Sequence, residues 1–151
     1  MPYDSTMTVP QPGNRVDIFL AAPRRFAILA TLDPDGTPRQ AVIWYRLDPG
    51  GLITVNSAVG RRWPANLRRD PRCSLAVLDG ADGYTFVAVT GRVVEAIDDQ
   101  EVAQADIAAL ARSYHADEPE KAERLIATRF QTQQRVSFRI EILAAHDHLE
   151  D

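Results

Sequence analysis

The residues best placed to do chemistry in this sequence are two adjacent arginines, Arg61 and Arg62, within the stretch Leu52–Pro71. Arginine can grip a phosphate with two parallel N–H donors, and it keeps its charge at any physiological pH. Before the pair lies the β-rich run Leu52–Ser57, and after it a short helix beginning at Trp63. Pro64 suits a first helical turn, where its missing N–H costs nothing. Asp70-Pro71 stops the helix near Arg69, because the residue before a proline is pushed out of the helical region. A helix start offers unpaired N–H groups and a partial positive charge, and both attract an anion. The pattern therefore predicts a phosphate site at Arg61 and Arg62, with Arg62 more important to it than Arg69 in the last turn. The alternative is a solvated basic helix joining two strands, since Arg68, Arg69 and Arg72 continue the positive charge.

Other chemistry finds little support. The histidines are His115, His146 and His148. His146 and His148 flank Asp147 in what reads as a solvated terminus, which falls short of a metal site. Cys73 opens an apolar strand and reads as a small core residue. It is the sole cysteine, which excludes an intrachain disulfide and fits a reducing cytoplasm. No serine has a local histidine and aspartate arrangement, and Asp98-Asp99 reads as the start of a helix. The glycine-rich fingerprints of dinucleotide and phosphate loops are absent. An enzyme without its own acid, base or nucleophile relies on a cofactor.

The elements that must position the arginines follow from composition and periodicity. A chain of 151 residues, 45% apolar and 25% charged, fits one globular domain with a real core. A net charge of −4 argues against a dedicated nucleic-acid binder. A nucleic-acid-binding barrel using Arg61–Arg72 would interleave aromatics with the arginines, and only Trp63 is there. No apolar run spans a membrane and the N-terminus lacks a signal-peptide pattern, so the expected location is the cytoplasm. Residues 1–13, with three prolines, read as a flexible arm before a domain over 14–151. Asn14 is placed to cap a helix over Arg15–Ala22, with Val16, Phe19 and Leu20 on one face.

Three strands, Phe26–Leu32, Arg39–Leu47 and Leu52–Ser57, are separated by the turns Asp33–Gly36 and Asp48–Gly51 and read as an antiparallel meander. Cys73–Leu78 and Tyr84–Ile97 follow, and Gly91 inside the latter suggests a bulge. Helices are expected from Asp98-Asp99 onward and over Pro119–Arg129. Gln134–Leu143 alternates as a half-buried strand, with Val136, Phe138, Ile140 and Ile142 on one face. The count gives a mainly β (α+β) fold, a six-stranded antiparallel barrel with capping helices rather than a doubly wound sheet.

Several landmarks in order carry a resemblance. They are Gly36-Thr37-Pro38-Arg39, Val42-Ile43-Trp44-Tyr45, Asp48-Pro49-Gly50-Gly51-Leu52, Gly60-Arg61-Arg62, Asn66-Leu67-Arg68-Arg69-Asp70-Pro71-Arg72 and Val89-Thr90-Gly91-Arg92-Val93. Over roughly Phe26 to Leu143 the chain resembles the pyridoxamine 5′-phosphate oxidase-like split β-barrel proteins. The Asn66–Arg72 string is similar to the actinobacterial branch that uses the deazaflavin coenzyme F420.

The resemblance implies a homodimer with a cofactor at each of two equivalent interface sites, a small-molecule substrate, and no nucleic-acid or membrane partner. It implies that Ala41, Val42, Ile43 and Trp44 lie along the flavin-like ring, and Val55, Asn56 and Ser57 beside the ribityl chain or phosphate. Arg61 and Arg62 would bind phosphate, with the helix from Trp63 aimed at it, and Tyr84 and Phe86 would come from the partner subunit. Trp63 stands where the family often has a lysine. The Arg- and His-rich C-terminal substrate motif of true pyridoxamine phosphate oxidases is not matched, which argues against vitamin B6 oxidation. The implied function is an oxidoreductase passing a hydride from reduced F420 to a small conjugated or heteroaromatic acceptor. The alternatives are an FMN-binding reductase or oxidase of the same fold and a non-catalytic flavin or deazaflavin carrier or sensor. Tyr45 and His115 are the candidate proton donors, and Arg24 and Arg25 are candidates to meet the anionic tail of F420.

Overall fold

A computed structural model describes residues 7–8 and 14–149. In chain order the strands are β1 (Met7–Thr8), β2 (Ala27–Leu32), β3 (Pro38–Ile43), β4 (Arg46–Leu47), β5 (Ile53–Ala58), β6 (Arg72–Leu78), β7 (Phe86–Ile97) and β8 (Arg135–His148). The helices are α1 (Arg15–Ala21), α2 (Arg62–Arg69), α3 (Gln100–Tyr114) and α4 (Pro119–Thr128), with a single 3-10 turn at Phe130–Thr132. The six long strands are those expected. β1 and β4 are two-residue additions. Apart from Met7–Thr8, which pairs with β8, the proposed N-terminal arm lies outside the described residues, as do positions 150–151 of the proposed domain.

The turns act as their residues dictate. Gly36 adopts φ 86° and donates its N–H to the Asp33 carbonyl at 2.9 Å, so β2 and β3 pair in register from Leu32↔Pro38 to Ala27↔Ile43. The predicted single strand Arg39–Leu47 is, however, divided at Trp44-Tyr45. Its first half pairs with β2 and its second with β5, so the simple three-strand meander does not form. The sheet order is β3-β2-β6-β7-β8-β5-β4, every pair antiparallel. β3 and β4 sit at opposite edges of this sheet yet are joined by two residues. The sheet must curl until its edges meet, which is a split barrel.

The barrel interior holds Leu29, Val55, Leu75, Val77, Val87, Val89, Phe138 and Ile140, all sealed from solvent. α1 plugs one end with Val16, Phe19 and Leu20, and the Asn14 side chain accepts the Asp17 N–H at 2.8 Å as its cap. Gly91 permits a close approach. A Cβ there would lie 2.7 Å from Ile140 Cγ2, and the β7–β8 register shifts between Thr90 and Gly91, the bulge its position suggested.

β8 continues past Leu143 to His148, so His146-Asp147-His148 is not a solvated tail. Ala144 and Ala145 interrupt the apolar alternation, but the ladder to β7 runs on, pairing Ala88 with His146 and Phe86 with His148. The His148 ring stacks on Phe86 at 5.3 Å. A second apolar cluster, Ile107, Leu110, Ala111, Ile126 and Phe130, joins α3 to α4 and packs against Trp44 and Tyr114. Among the described residues no helix is long and apolar enough to cross a membrane.

The seam at Trp44-Tyr45 leaves main-chain groups outside the ladder. Tyr114, the last residue of α3, supplies their partner. Its hydroxyl oxygen accepts the Tyr45 N–H at 3.1 Å, and its proton lies between the carbonyls of Tyr45, at 3.2 Å, and Arg25. Removing that hydroxyl strands a part-buried N–H, at a cost of about 1–3 kcal/mol. Tyr114→Phe is therefore expected to lower the unfolding free energy by that amount and move the urea midpoint down accordingly, whereas Tyr84→Phe, on a side chain 72% exposed, leaves the midpoint unchanged. Equal midpoints for Tyr114→Phe and wild type would show that the seam does not depend on this contact.

Candidate functional site

α2 begins directly after Arg61, whose extended backbone (φ −75°, ψ 160°) ends the turn from β5. No side chain caps its first turn, so its leading N–H groups keep no side-chain acceptor. Trp63, Pro64, Asn66 and Leu67 face the barrel. The two arginines at the helix start diverge. Arg61 turns into a cleft beside the barrel wall, and Arg62 turns outward to within 4.0 Å of Asp33. Arg69 is engaged elsewhere, donating to the Leu32 carbonyl at 2.5 Å and to Asn66 Oδ1 at 2.7 Å. Arg68 pairs with Asp98 and Arg72 with Asp70.

The cleft has a volume of ≈ 250 Å³. One wall is the end of β3 and the seam, Val42, Ile43 and Trp44, with Asn56 and Ser57 of β5 beside them. Arg61 and Trp63 close one side. Ile107 and Leu110 of α3, Leu125 of α4, Arg129, Phe130 and Arg135 form the other. Trp44 is fixed by stacking on Tyr114 at 5.1 Å and by an edge contact with Phe130 at 6.3 Å. An apolar aromatic wall thus faces three arginines.

Arg135 is the unusual group. It is only 6% exposed, and its partners are neutral. Nε donates to Asn56 Oδ1 at 3.0 Å, Nη1 donates to Gln133 Oε1 at 2.6 Å, and the guanidinium lies 5.0 Å from the Phe130 ring centre. Burial first, then the like charges of Arg61 and Arg129, hold its pKa down to about 10. It stays protonated at neutral pH. Among the described residues no carboxylate forms a salt bridge with Arg61, Arg129 or Arg135. A buried cation with cationic neighbours and no carboxylate partner among the described residues can accept an anion.

Of the residues the sequence suggested, Val42, Ile43, Trp44, Asn56, Ser57, Arg61 and Trp63 line this one cleft. Ala41 packs against the barrel core, and Val55 is wholly inside it. Arg62 faces away. Tyr84 and Phe86 lie outside the cleft of their own chain, Phe86 against His146 and His148. The Tyr45 hydroxyl donates to the Leu20 carbonyl at 2.7 Å, and burial raises its pKa far above the usual phenol value. His115 packs edge-on against Trp44 at 5.5 Å. Arg24 pairs with Asp117 at 3.1 Å, and Arg25 donates to the Phe19 carbonyl at 2.8 Å while lying over the Phe19 ring.

Sequence reasoning missed Arg129, Phe130 and Arg135. The one available signal was an arginine opening an apolar strand; Arg135, Val136, Ser137 and Phe138 are all buried, on both faces of β8.

A sequence model described as pyridoxamine 5′-phosphate oxidase matches residues 16–147. The chain belongs to this family. Its split-barrel fold is shared with a solved structure named F420 reductase, at 22% identity and a TM-score of 0.68, covering 91% of this chain and 98% of that one. It is shared equally with the conserved hypothetical protein Rv2991 from Mycobacterium tuberculosis, at 23% identity and a TM-score of 0.68, covering 98% and 91%. A more distant match is HupZ of Group A Streptococcus, at 16% identity and a TM-score of 0.56, covering 82% and 84%.

Asp106 on α3 anchors the cleft's supporting network. Burial pushes its pKa up, but hydrogen bonds from Ser137, Arg139 and Arg46 outweigh this and hold it below the ordinary value. A depressed folded-state pKa contributes stability that is present above the unfolded value, about 4, and lost as pH falls through the folded one. Asp106→Asn should therefore destabilise the protein by about 3–5 kcal/mol at pH 7, as breaking a buried ion pair does. In urea unfolding at pH 7 and pH 3 the gap from wild type should shrink at the lower pH. An equal gap at both would remove Asp106 ionisation from the account.

Proposed function

We propose that this chain is an F420-dependent oxidoreductase, passing a hydride from the reduced deazaflavin to a small conjugated or heteroaromatic acceptor. The observation that carries the proposal is Arg135, a buried arginine flanked by Arg61 and Arg129, with no carboxylate partner among the described residues, set in a cleft with an aromatic wall. A cofactor with a planar ring at one end and a phosphate further along suits both halves. Arg61 and Arg135 would hold the phosphate, near the uncapped start of α2. Ile43, Trp44 and Phe130 would flank the ring. The cofactor, when bound, supplies the hydride.

The chain's own part is to hold the ring, keep water from it, and stabilise negative charge developing on the acceptor, for which Arg129 is the exposed cation at hand. With the Tyr45 hydroxyl committed to Leu20 and His115 outside the residues that line the cleft, solvent is the proton source. The likeness in fold to the protein named F420 reductase supports the deazaflavin over other cofactors. FMN is the second reading, because the same arginine pair would accept its phosphate. We further propose a homodimer. Val42, 72% exposed at the cleft, and Phe26, 52% exposed, are apolar surface that a second copy would cover. Tyr84 and Phe86 would then approach the partner's cofactor.

Fluorescence titration with F420 and FMN at two salt concentrations tests the reading. F420 carries more negative charge, so it should bind more tightly and lose affinity more steeply as salt rises. A charge-assisted contact is worth about 1.5–3 kcal/mol, so Arg61→Ala and Arg135→Gln should each weaken binding about tenfold or more. Arg62→Ala should cost a few-fold, through screened attraction alone. A larger effect at Arg62 than at Arg135 would move the phosphate out of the cleft. Light scattering should give twice the 16.8 kDa chain mass, and a clean monomer would remove the shared-site arrangement.

A further inference from the structure

Asn56 lines the cleft, yet both of its Nδ2 donors are already engaged within the protein. Nδ2 donates to the Ala103 carbonyl and to Ser137 Oγ, both at 2.9 Å. A carbonyl can only accept, so this contact fixes which way the amide points and turns Oδ1 toward Arg135. Ser137 is equally constrained. Its hydroxyl donates to Asp106 Oδ2 at 2.7 Å, because an ionised carboxylate can only accept, which leaves its lone pair for Asn56.

The hydrogen bonds therefore run in one direction. Arg135 Nε donates to Asn56, Asn56 to Ser137, and Ser137 to Asp106. The chain crosses from β8 to β5, back to β8 and on to α3, and Asn56, Ser137 and Asp106 are all buried. Each bond polarises the next in such a chain. Gln100 also clamps the Arg135 main chain, accepting its N–H at 2.9 Å and donating to its carbonyl at 2.8 Å. Asp106 balances its own charge against Arg139 and Arg46.

We propose that Asp106, Ser137 and Asn56 form a positioning relay that fixes the Arg135 guanidinium in the cleft while keeping any carboxylate out of reach of the bound anion. A carboxylate placed directly on Arg135 would orient it as well but would cancel the charge the anion needs. Two neutral links separate the orienting charge from the cation. The inference rests on the proposed function only in taking the cleft's ligand to be an anion.

The test compares two small hydroxyl deletions on either side of Asp106. Ser137→Ala cuts the relay. Thr54→Val cuts the opposite arm, where Arg139 Nη1 donates to Thr54 Oγ1 at 2.8 Å, and leaves the relay whole. The readout is the Arg135 Nε–H signal in nitrogen-15 NMR of the ligand-free protein, assigned by its loss in Arg135→Gln. Ser137→Ala should shift that signal and speed its exchange with water about fivefold, the size expected from losing one net hydrogen bond. It should weaken inorganic phosphate binding in the cleft by a similar factor. Thr54→Val should do neither. If Ser137→Ala does not fold, Ser137→Cys, with a weaker donor of similar size, should give a smaller change in the same direction on both readouts. An unchanged Arg135 signal in the Ser137 variant, or an equal change in Thr54→Val, overturns the relay. If neither F420 nor FMN binds but the signal behaves as stated, the cofactor reading falls and the relay stands.

Discussion

A barrel closed by one strand that pairs at both edges of its own sheet must leave a gap where that strand changes partner. Here the gap falls at Trp44-Tyr45, between β3 on β2 and β4 on β5. Backbone polar groups in such a gap need partners from outside the sheet. Tyr114 provides them, which requires the end of α3 to lie across the seam. With α3 held there, Ile107 and Leu110 stand over the Trp44 wall, and α4 packs back on α3 through Ile126. The 3-10 turn then brings Phe130 down beside β8. The cleft is the space between the barrel wall and this helical hairpin, so its shape follows from how the barrel closes.

The charges in and behind the cleft divide into two groups. Buried Asp106 and Thr54 form a charge-balanced set with the part-buried Arg139, Arg46 and Asp48. Among the described residues, no carboxylate forms a salt bridge with Arg61, Arg129 or Arg135. Burying a cation with neutral partners costs folding free energy, and an anion bound in the folded state returns it by mass action. A surface cluster such as Arg68 and Arg72 has no such debt, because each arginine there already has an acidic neighbour and water around it.

Most of the fold was legible in the sequence, because its signals are local. Asp33–Gly36 and Asp48–Gly51 carry their own turn chemistry, Pro64 and Pro71 bracket α2, and Val136 to Ile142 alternate as a half-buried strand does. The division of Arg39–Leu47 was not legible, since both halves have strand character and only closure of the sheet separates them. The extension of β8 was hidden by Ala144 and Ala145, which pair by backbone and show no alternation. At the site, the strand-end residues Val42 to Trp44 and the helix start at Arg61 could be read. Arg62 could not be told from Arg61, because the change from the extended backbone at Arg61 to the helix at Arg62 sends one into the cleft and the other toward Asp33. Arg135 was invisible for a different reason. Its burial comes from α3 and the turn at Phe130, which the topology brings to it from elsewhere in the chain.

The most direct test of the central claim is a crystal structure of the chain with F420 bound. The account predicts the cofactor phosphate within hydrogen-bond distance of both Arg61 and Arg135, with Arg62 still turned toward Asp33 and the Arg135 Nε still on Asn56. A phosphate seated on Arg62, or out among Arg68, Arg69 and Arg72, would contradict it.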